Sequence, residues 1–292
     1  MPDDGEVRYV ARGEAEYPAQ LLDLHDPPAG LFLRGRPLPA AERIVAMVGA
    51  RRCSPLGREI ARDLGRSLGR AGWSVVSGAA RGIDAASHEG ALDAASHTVA
   101  VLGSGIDVPY PPGSADLITR IAATGSVVSE YPPGVPALPF RFPARNRIVA
   151  GLARAVIVVE GEEGSGSLIS AEHALDLGRD VLAVPGAVTN PLAAVPNGLI
   201  REGAALVRGV DDVLAELGIE APAEAIPETD LTAREREALA AVGDRVLPDA
   251  VARVHDVPVA EALPLLLALE LKGLVRSVGG RYERRLAGRN GR

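Results

Sequence analysis

Between Arg43 and about Leu217, short apolar runs alternate with stretches of helical periodicity. Ile44 to Val48, Ser74 to Ser77, Thr98 to Leu102, Ser126 to Ser129, Ala155 to Val159 and Val181 to Val184 read as strands. Runs this short and this continuously apolar suit strands buried on both faces, as in a parallel sheet between layers of helices. Ser54-Pro55 supplies a helix start, Ser as cap and Pro in the first turn, and that helix reaches Ala71 before Gly72 stops it. A second helix follows from about Gly82 to Ala95. The alternation predicts an α/β fold, a parallel sheet with helices on both faces.

Four regions follow along the chain. Residues 1–42 form a lead-in with Tyr17-Pro18, Pro27-Pro28 and Pro37. Residues 43–220 are the α/β core, and 221–229, with Pro and Glu, read as a linker. Residues 230–286 carry helical patterns at Thr232 to Val242, Leu247 to His255 and Val259 to Lys272. Two short strands then flank Gly279-Gly280, so three helices and a hairpin predict a small winged-helix domain. Its third helix is rich in Leu with Glu261 and Glu270, which suits a protein contact better than a DNA groove.

Composition narrows the function. No apolar run approaches the roughly 20 residues of a membrane helix. The acidic opening lacks a basic start followed by an apolar stretch, so no secretion signal is expected. The single Cys53 cannot pair internally or build a thiolate metal cluster. A cytoplasmic protein with neither membrane, metal nor cofactor is expected. The formal net charge of −7 argues against nucleic acid only weakly, because binding follows the local field. Every basic residue but Lys272 and the histidines is Arg, whose planar fork grips phosphate and stacks on bases.

Four motifs carry chemistry. Gly49-Ala50-Arg51-Arg52-Cys53-Ser54 turns from a strand into a helix N-terminus, where free N–H groups and the helix dipole favour phosphate. The alternative is an ordinary turn with solvated Arg. Ser77-Gly78-Ala79-Ala80-Arg81-Gly82-Ile83-Asp84 sits between a strand and a helix. Its small residues admit a ligand backbone, and Arg81 can close on phosphate. Asp84 is expected to complement the dipole and orient Arg81, and His88 to be buried or capping rather than a base. Tyr131 to Val159 contains no acid, yet holds Arg141, Arg145, Arg147 and Arg154 with Phe140 and Phe142 between them. Charge that tracks phosphates beside rings that stack bases suits a single strand, against the alternative of a solvated helix face. Gly164-Ser165-Gly166-Ser167 opens a further helix, either as an anion seat or as a plain cap. A dinucleotide site fits poorly: the first turn lacks G-x-G-x-x-G, and no acid ends the second strand.

Together and in this order, these strings resemble the DprA/Smf family, over Tyr17 to about Leu217. Ser77 to Asp84 and Phe142-Pro143-Ala144-Arg145-Asn146-Arg147-Ile148-Val149-Ala150-Gly151-Leu152 are the most specific. Ser165 to Ala171, Val184-Pro185-Gly186 and Asn197 to Ala204 follow in family order. The sequence departs from the family pattern at Ser87, in place of Ala, and at Ala193 to Pro196, where the approach to Asn197 is usually Gly-rich. The resemblance implies an extended Rossmann-like, doubly wound core and a homodimer. It implies single-stranded DNA binding and loading of RecA recombinase in natural transformation. Carried over by position, the pocket would comprise Arg51, Ser54, Gly78, Arg81, Gly82, Arg145, Asn146, Arg147, Ser165 and Ser167, with no catalytic residue.

The competing expectation is a nucleotide-binding enzyme that cleaves an N-glycosidic bond, as lysine-decarboxylase-like (LOG) proteins of related fold do. Those enzymes carry P-G-G-x-G-T-x-x-E; here Gly164 to Ser167 lacks the Gly-Gly pair, and Glu172 stands at another distance. Glu130 and Glu160 could pair for acid–base work but are expected instead to orient Arg side chains.

Overall fold

The strand Ile44–Val48 (β3) is the central strand of the parallel part of the sheet, and all five residues are buried. The computed structural model describes residues 6–219, 231–242, 246–254, 257–271, 274–278 and 280–284. From β3 the chain passes outward through Ser74–Ser77 (β4), Thr98–Leu102 (β5) and Ser126–Ser129 (β6). It then returns to the other side of β3 with Ala155–Val158 (β7), Asp180–Ala183 (β8) and Ala205–Leu206 (β9). All these pairings are parallel. The reversal falls between β3 and β7, where an open α/β sheet offers a crevice at the carboxyl ends of its strands.

Two further strands extend the sheet from within residues 1–42. Val7–Ala11 (β1) pairs antiparallel with Gly30–Gly35 (β2), and β2 pairs antiparallel with β6. The lead-in is therefore part of the nine-stranded sheet, which a purely parallel expectation did not include. Leu31 and Leu33 are buried, while Phe32 and Arg34 are half-exposed, the alternation of a strand covered on one face.

The helices Pro55–Arg70 (α1), Ile83–Asp93 (α2) and Ala115–Thr124 (α3) cover one face. Arg141–Leu152 (α4) and Gly166–Asp176 (α5) cover the other, against a core of Ile44, Ala46, Val48, Val99, Val101 and Val156. α1 and α2 meet at backbone distance: a Cβ on Gly65 would lie 2.3 Å from the Ser87 carbonyl oxygen, and one on Gly90 2.0 Å from that of Arg62. Ala194–Arg201 (α6) and Val210–Glu216 (α7) complete this part of the chain.

The described residues form two compact units, Met1–Ile219 and Glu220–Arg292. The second contains helices Ala233–Ala241 (α8), Pro248–Val254 (α9) and Val259–Leu271 (α10). The antiparallel pair Val275–Val278 (β10) and Arg281–Arg284 (β11) follows them. Thr232 and Glu235 close a capping box on α8, and Leu239, Val251, Leu266, Leu269 and Val275 supply a separate core. The linker expected at 221–229 lies outside the described residues. Among the described residues, no helix is long and apolar enough to cross a membrane.

Candidate nucleic-acid interface

The loops that follow β3, β4, β5, β6 and β7 gather at one end of the sheet, and all four sequence motifs lie there or open the helices that begin there. At the first, Ser54 caps α1 by accepting from the Gly57 amide at 2.9 Å. Its amide donates to Glu160 Oε2 at 2.8 Å, and its hydroxyl donates to Glu160 Oε1 at 2.6 Å. A Cβ on Gly57 would lie 2.3 Å from the Glu160 carboxyl carbon, so Gly57 leaves room for that carboxylate. The positive end of α1 thus already holds an anion from the chain itself. Ser54 is a structural cap here, and Glu160, expected to orient an Arg, holds a helix end instead. Arg51 and Arg52 remain exposed, and the Arg51 guanidinium lies 5.4 Å from the centre of the Phe142 ring.

The loop after β4 is held in an unusual backbone. Ala79 has φ +52° and Gly82 φ +81°, and a Cβ on Gly82 would meet the Ala50 carbonyl oxygen at 2.2 Å. Gly82 takes its conformation freely, but the strained Ala79 persists only where its surroundings fix it. Asp84, buried, accepts from the amides of Gly78 at 3.2 Å and Ala80 at 3.4 Å. Arg145, 4% exposed, donates through Nη1 to the carbonyl oxygens of Gly78, at 2.6 Å, and Val101. Burial pushes the Asp84 carboxyl up, against the pull of Arg145. Burial brings Arg145 down to about 10, against the pull of Asp84, so the guanidinium stays charged near neutrality.

Arg145 is an internal brace of this loop, and Asp84 serves the loop amides and Arg145 rather than Arg81, the partner expected for it. Arg81 itself is exposed. His88 has no solvent access, and its Nδ1 lies 2.8 Å from Thr98 Oγ1. That hydroxyl donates to the Val75 carbonyl oxygen at 2.7 Å, so Nδ1–H is the donor to it. His88 is buried as expected, and burial, reinforced by Arg145, brings its pKa down to about 3, which keeps it neutral near pH 7.

On α4, Arg147 forks onto Glu130 at 2.6 and 2.9 Å and donates to the Asp26 carbonyl oxygen at 3.1 Å. Here Glu130 does orient an Arg, as anticipated, and the side chain of Arg147 is only 13% exposed. Asn146 donates to the Gly166 carbonyl oxygen at 3.2 Å, tying α4 to the start of α5. Ser165 caps α5, its hydroxyl lies 2.8 Å from that of Ser167, and Ser167 is buried. The exposed carboxylates of Glu162 and Glu163 stand directly before this cap.

Among the aromatic side chains here, Phe140 and Phe142 were expected as base-stacking rings, whereas Tyr110 and Tyr131 were not. Tyr110 and Phe142 pack with ring centres 4.9 Å apart. The Arg141 guanidinium lies 4.7 Å from the Tyr131 ring centre and 5.6 Å from that of Phe140, which is 67% exposed. The sequence signal for these was the acid-free stretch from Tyr131; Tyr110 had none. The rim therefore presents exposed guanidinium groups interleaved with accessible rings, an arrangement for a flexible polyanion with unpaired bases.

Comparison with known proteins gives the family. The family described as DNA recombination-mediator protein A matches residues 8–218. Protein Smf of Escherichia coli is 39% identical over 279 residues, 92% of this chain and 75% of that protein. The X-ray structure of DNA processing protein A (DprA) from Streptococcus pneumoniae is similar with a TM-score of 0.68 and 41% identity, over 73% of this chain and 75% of that one. DNA processing protein A from Helicobacter pylori, whose structure addresses its single-stranded DNA binding mode, gives a TM-score of 0.64 and 27% identity. It covers 73% of this chain and 95% of that one.

Proposed function

This chain belongs to the DNA recombination-mediator protein A family, and from that premise we propose that it binds single-stranded DNA along the carboxyl rim of its sheet and hands it to a RecA recombinase. The observation that carries the reading is the cluster of Arg51, Phe142 and Tyr110 beside the exposed Arg81. Its cations fit phosphates and its rings fit unpaired bases, so a single strand satisfies both and a duplex only the first.

The pocket is smaller than the family resemblance implies. Arg51 and Arg81 contact phosphate, Gly78 and Gly82 let the strand approach the loop, and Asn146 and Ser165 border it. Arg145, Arg147, Ser54 and Ser167 support these from within. Binding rather than N-glycosidic cleavage is favoured because Glu130 and Glu160 are engaged by Arg147 and Ser54. Free adenine released on sustained incubation with AMP would count for the enzyme.

Residues 43–220 would be the DNA-binding core, 221–229 a linker and 230–286 a winged-helix domain. α10 exposes Val259, Leu263 and Leu267 at helical spacing, which supports a protein contact for this domain. The working form is a cytoplasmic homodimer that protects incoming DNA during natural transformation.

Fluorescence anisotropy with labelled single strands and duplexes tests the core of the proposal. Single strands should bind tighter, with affinity falling steeply as salt rises. Equal affinity for both forms, or none for single strands, overturns it. Light scattering tests the dimer. RecA ATPase activity on strands precoated with a single-strand binding protein, with and without this protein, tests the hand-over.

A further inference from the structure

The chain has nine aromatic side chains, and six of them, Tyr9, Phe32, Tyr110, Tyr131, Phe140 and Phe142, lie at the carboxyl rim of the sheet or beside it. Four belong to the interface already described. Tyr9 and Phe32 form a separate pair, with ring centres 4.8 Å apart and planes inclined by 48°. Strand register puts them at the rim: Phe32 is opposite Ser129, the last residue of β6, and Tyr9 is opposite Phe32. The Tyr9 ring lies across Gly30, where a Cβ would come within 2.3 Å of it.

A cavity of about 540 Å³ opens at this point, lined by Tyr9, Ala29, Gly30, Phe32, Glu130 and Pro132. That volume falls in the roughly 300–1,000 Å³ range of small-ligand sites. Tyr9 is 49% exposed beside it, whereas Leu31 and Leu33 on the other face of the same hairpin are buried. The core thus makes no use of this ring.

We propose that the Tyr9–Phe32 groove is a second nucleobase subsite, holding a base of the same DNA strand that crosses the rim. The proposal rests on the single-strand reading. Continuity supports it: Tyr131, whose ring carries Arg141, stands between the groove residues Glu130 and Pro132. A strand passing over Tyr131 meets the groove next. The walls suit a base rather than a phosphate, because beside two rings, Pro132, Ala29 and Gly30 their one charged group is the carboxylate of Glu130, and no cation lines them. Glu130 does not repel the strand strongly, since Arg147 forks onto both its oxygens. Their remaining lone pairs can accept from a base N–H, such as thymine N3–H.

Anisotropy with oligothymidines of increasing length separates this subsite from the rim. Wild-type affinity should rise with length until the groove is filled. Tyr9→Ala should then lose roughly 5- to 100-fold on the long oligomer, as expected for one stacked base, and nothing on the shortest that binds. Tyr9→Phe should retain the long-oligomer affinity, since stacking needs no hydroxyl. A single 2-aminopurine moved along the long strand should be quenched at one position that Tyr9→Ala alone restores. Unchanged affinity for the long oligomer, or equal loss at every length, overturns the subsite while the single-strand reading stands. Absence of wild-type binding at every length overturns both. Binding of a proline-rich peptide that the long oligomer fails to displace, and that Tyr9→Ala abolishes, would give the groove to a protein partner instead.

Discussion

Asp84 and Arg145 hold Gly78 from opposite sides: the carboxylate accepts from its amide at 3.2 Å, and the guanidinium donates to its carbonyl oxygen at 2.6 Å. A loop containing the left-handed Ala79 needs such a grip, because its backbone conformation is not self-supporting. Arg145→Ala should therefore act through the fold. It leaves Asp84 buried without its counter-charge, a change that costs about 3–5 kcal/mol in comparable pairs. Urea unfolding should show the loss. A stable Arg145→Ala protein that fails only in DNA binding would refute the brace.

Exposed Arg81 should behave in the opposite way. Arg81→Ala should change stability by less than about 0.5 kcal/mol and weaken DNA binding regardless of base sequence. Measuring unfolding midpoint and anisotropy on one preparation separates the two arginines. Wild-type affinity in Arg81→Ala would remove this residue from the interface.

The contrast between these arginines marks how far the sequence could be read. Strands β3 to β8 were legible because strands buried on both faces leave uninterrupted apolar runs. β1 and β2 were not, since an antiparallel edge hides its signal in the alternation of Leu31 and Leu33 with Phe32 and Arg34. Arg145 looked equivalent to Arg147, yet it shares the spacing of Ile148, Val149 and Leu152, the buried face of α4. That periodicity was the available clue to its burial. Nothing local could pair Arg51 or Tyr110 with Phe142, because those contacts join loops that only the sheet brings together.

Arg51 and Phe142 touch, but they should fail differently. Arg51→Ala removes a phosphate contact, so the slope of log affinity against log salt should flatten by about 0.7 on single strands. Phe142→Ala removes a stacking surface worth about 1–3 kcal/mol and should leave the slope unchanged. A salt titration of both variants checks this. Identical slopes would mean that Arg51 meets no phosphate.

His88 should make the protein acid-sensitive. Its pKa is about 3 when folded and 6.5 when free, so below pH 6.5 the unfolded chain takes up a proton that the folded chain refuses. Stability is therefore complete above pH 6.5 and is lost as pH falls toward 3, by about 1 kcal/mol at a pH one unit below the free value. Burial lowers His97 as well, which adds in the same direction. His88→Gln can still donate to Thr98 Oγ1 but does not titrate. Its urea midpoint should fall less steeply than that of the wild type over the same range. The raised Asp84 carboxyl acts in both proteins and cancels in the comparison. Parallel pH profiles would show that His88 is not the group responsible.

Glu160 decides whether the turn after β3 is an anion site at all. Its carboxylate lies against the amide and hydroxyl of Ser54 at the start of α1, the position a phosphate would take. Glu160→Gln preserves the shape and one acceptor while removing the charge. Losing a partly buried anion at a helix N-terminus should lower stability by about 1 kcal/mol. The vacated charge then favours an external anion, so phosphate buffer should raise the melting temperature of Glu160→Gln more than that of the wild type, by linkage to the folded state. Loss of stability without a phosphate effect would mean that the side-chain amide still closes the seat. No change in either quantity would mean that the carboxylate contributes shape but not charge to α1.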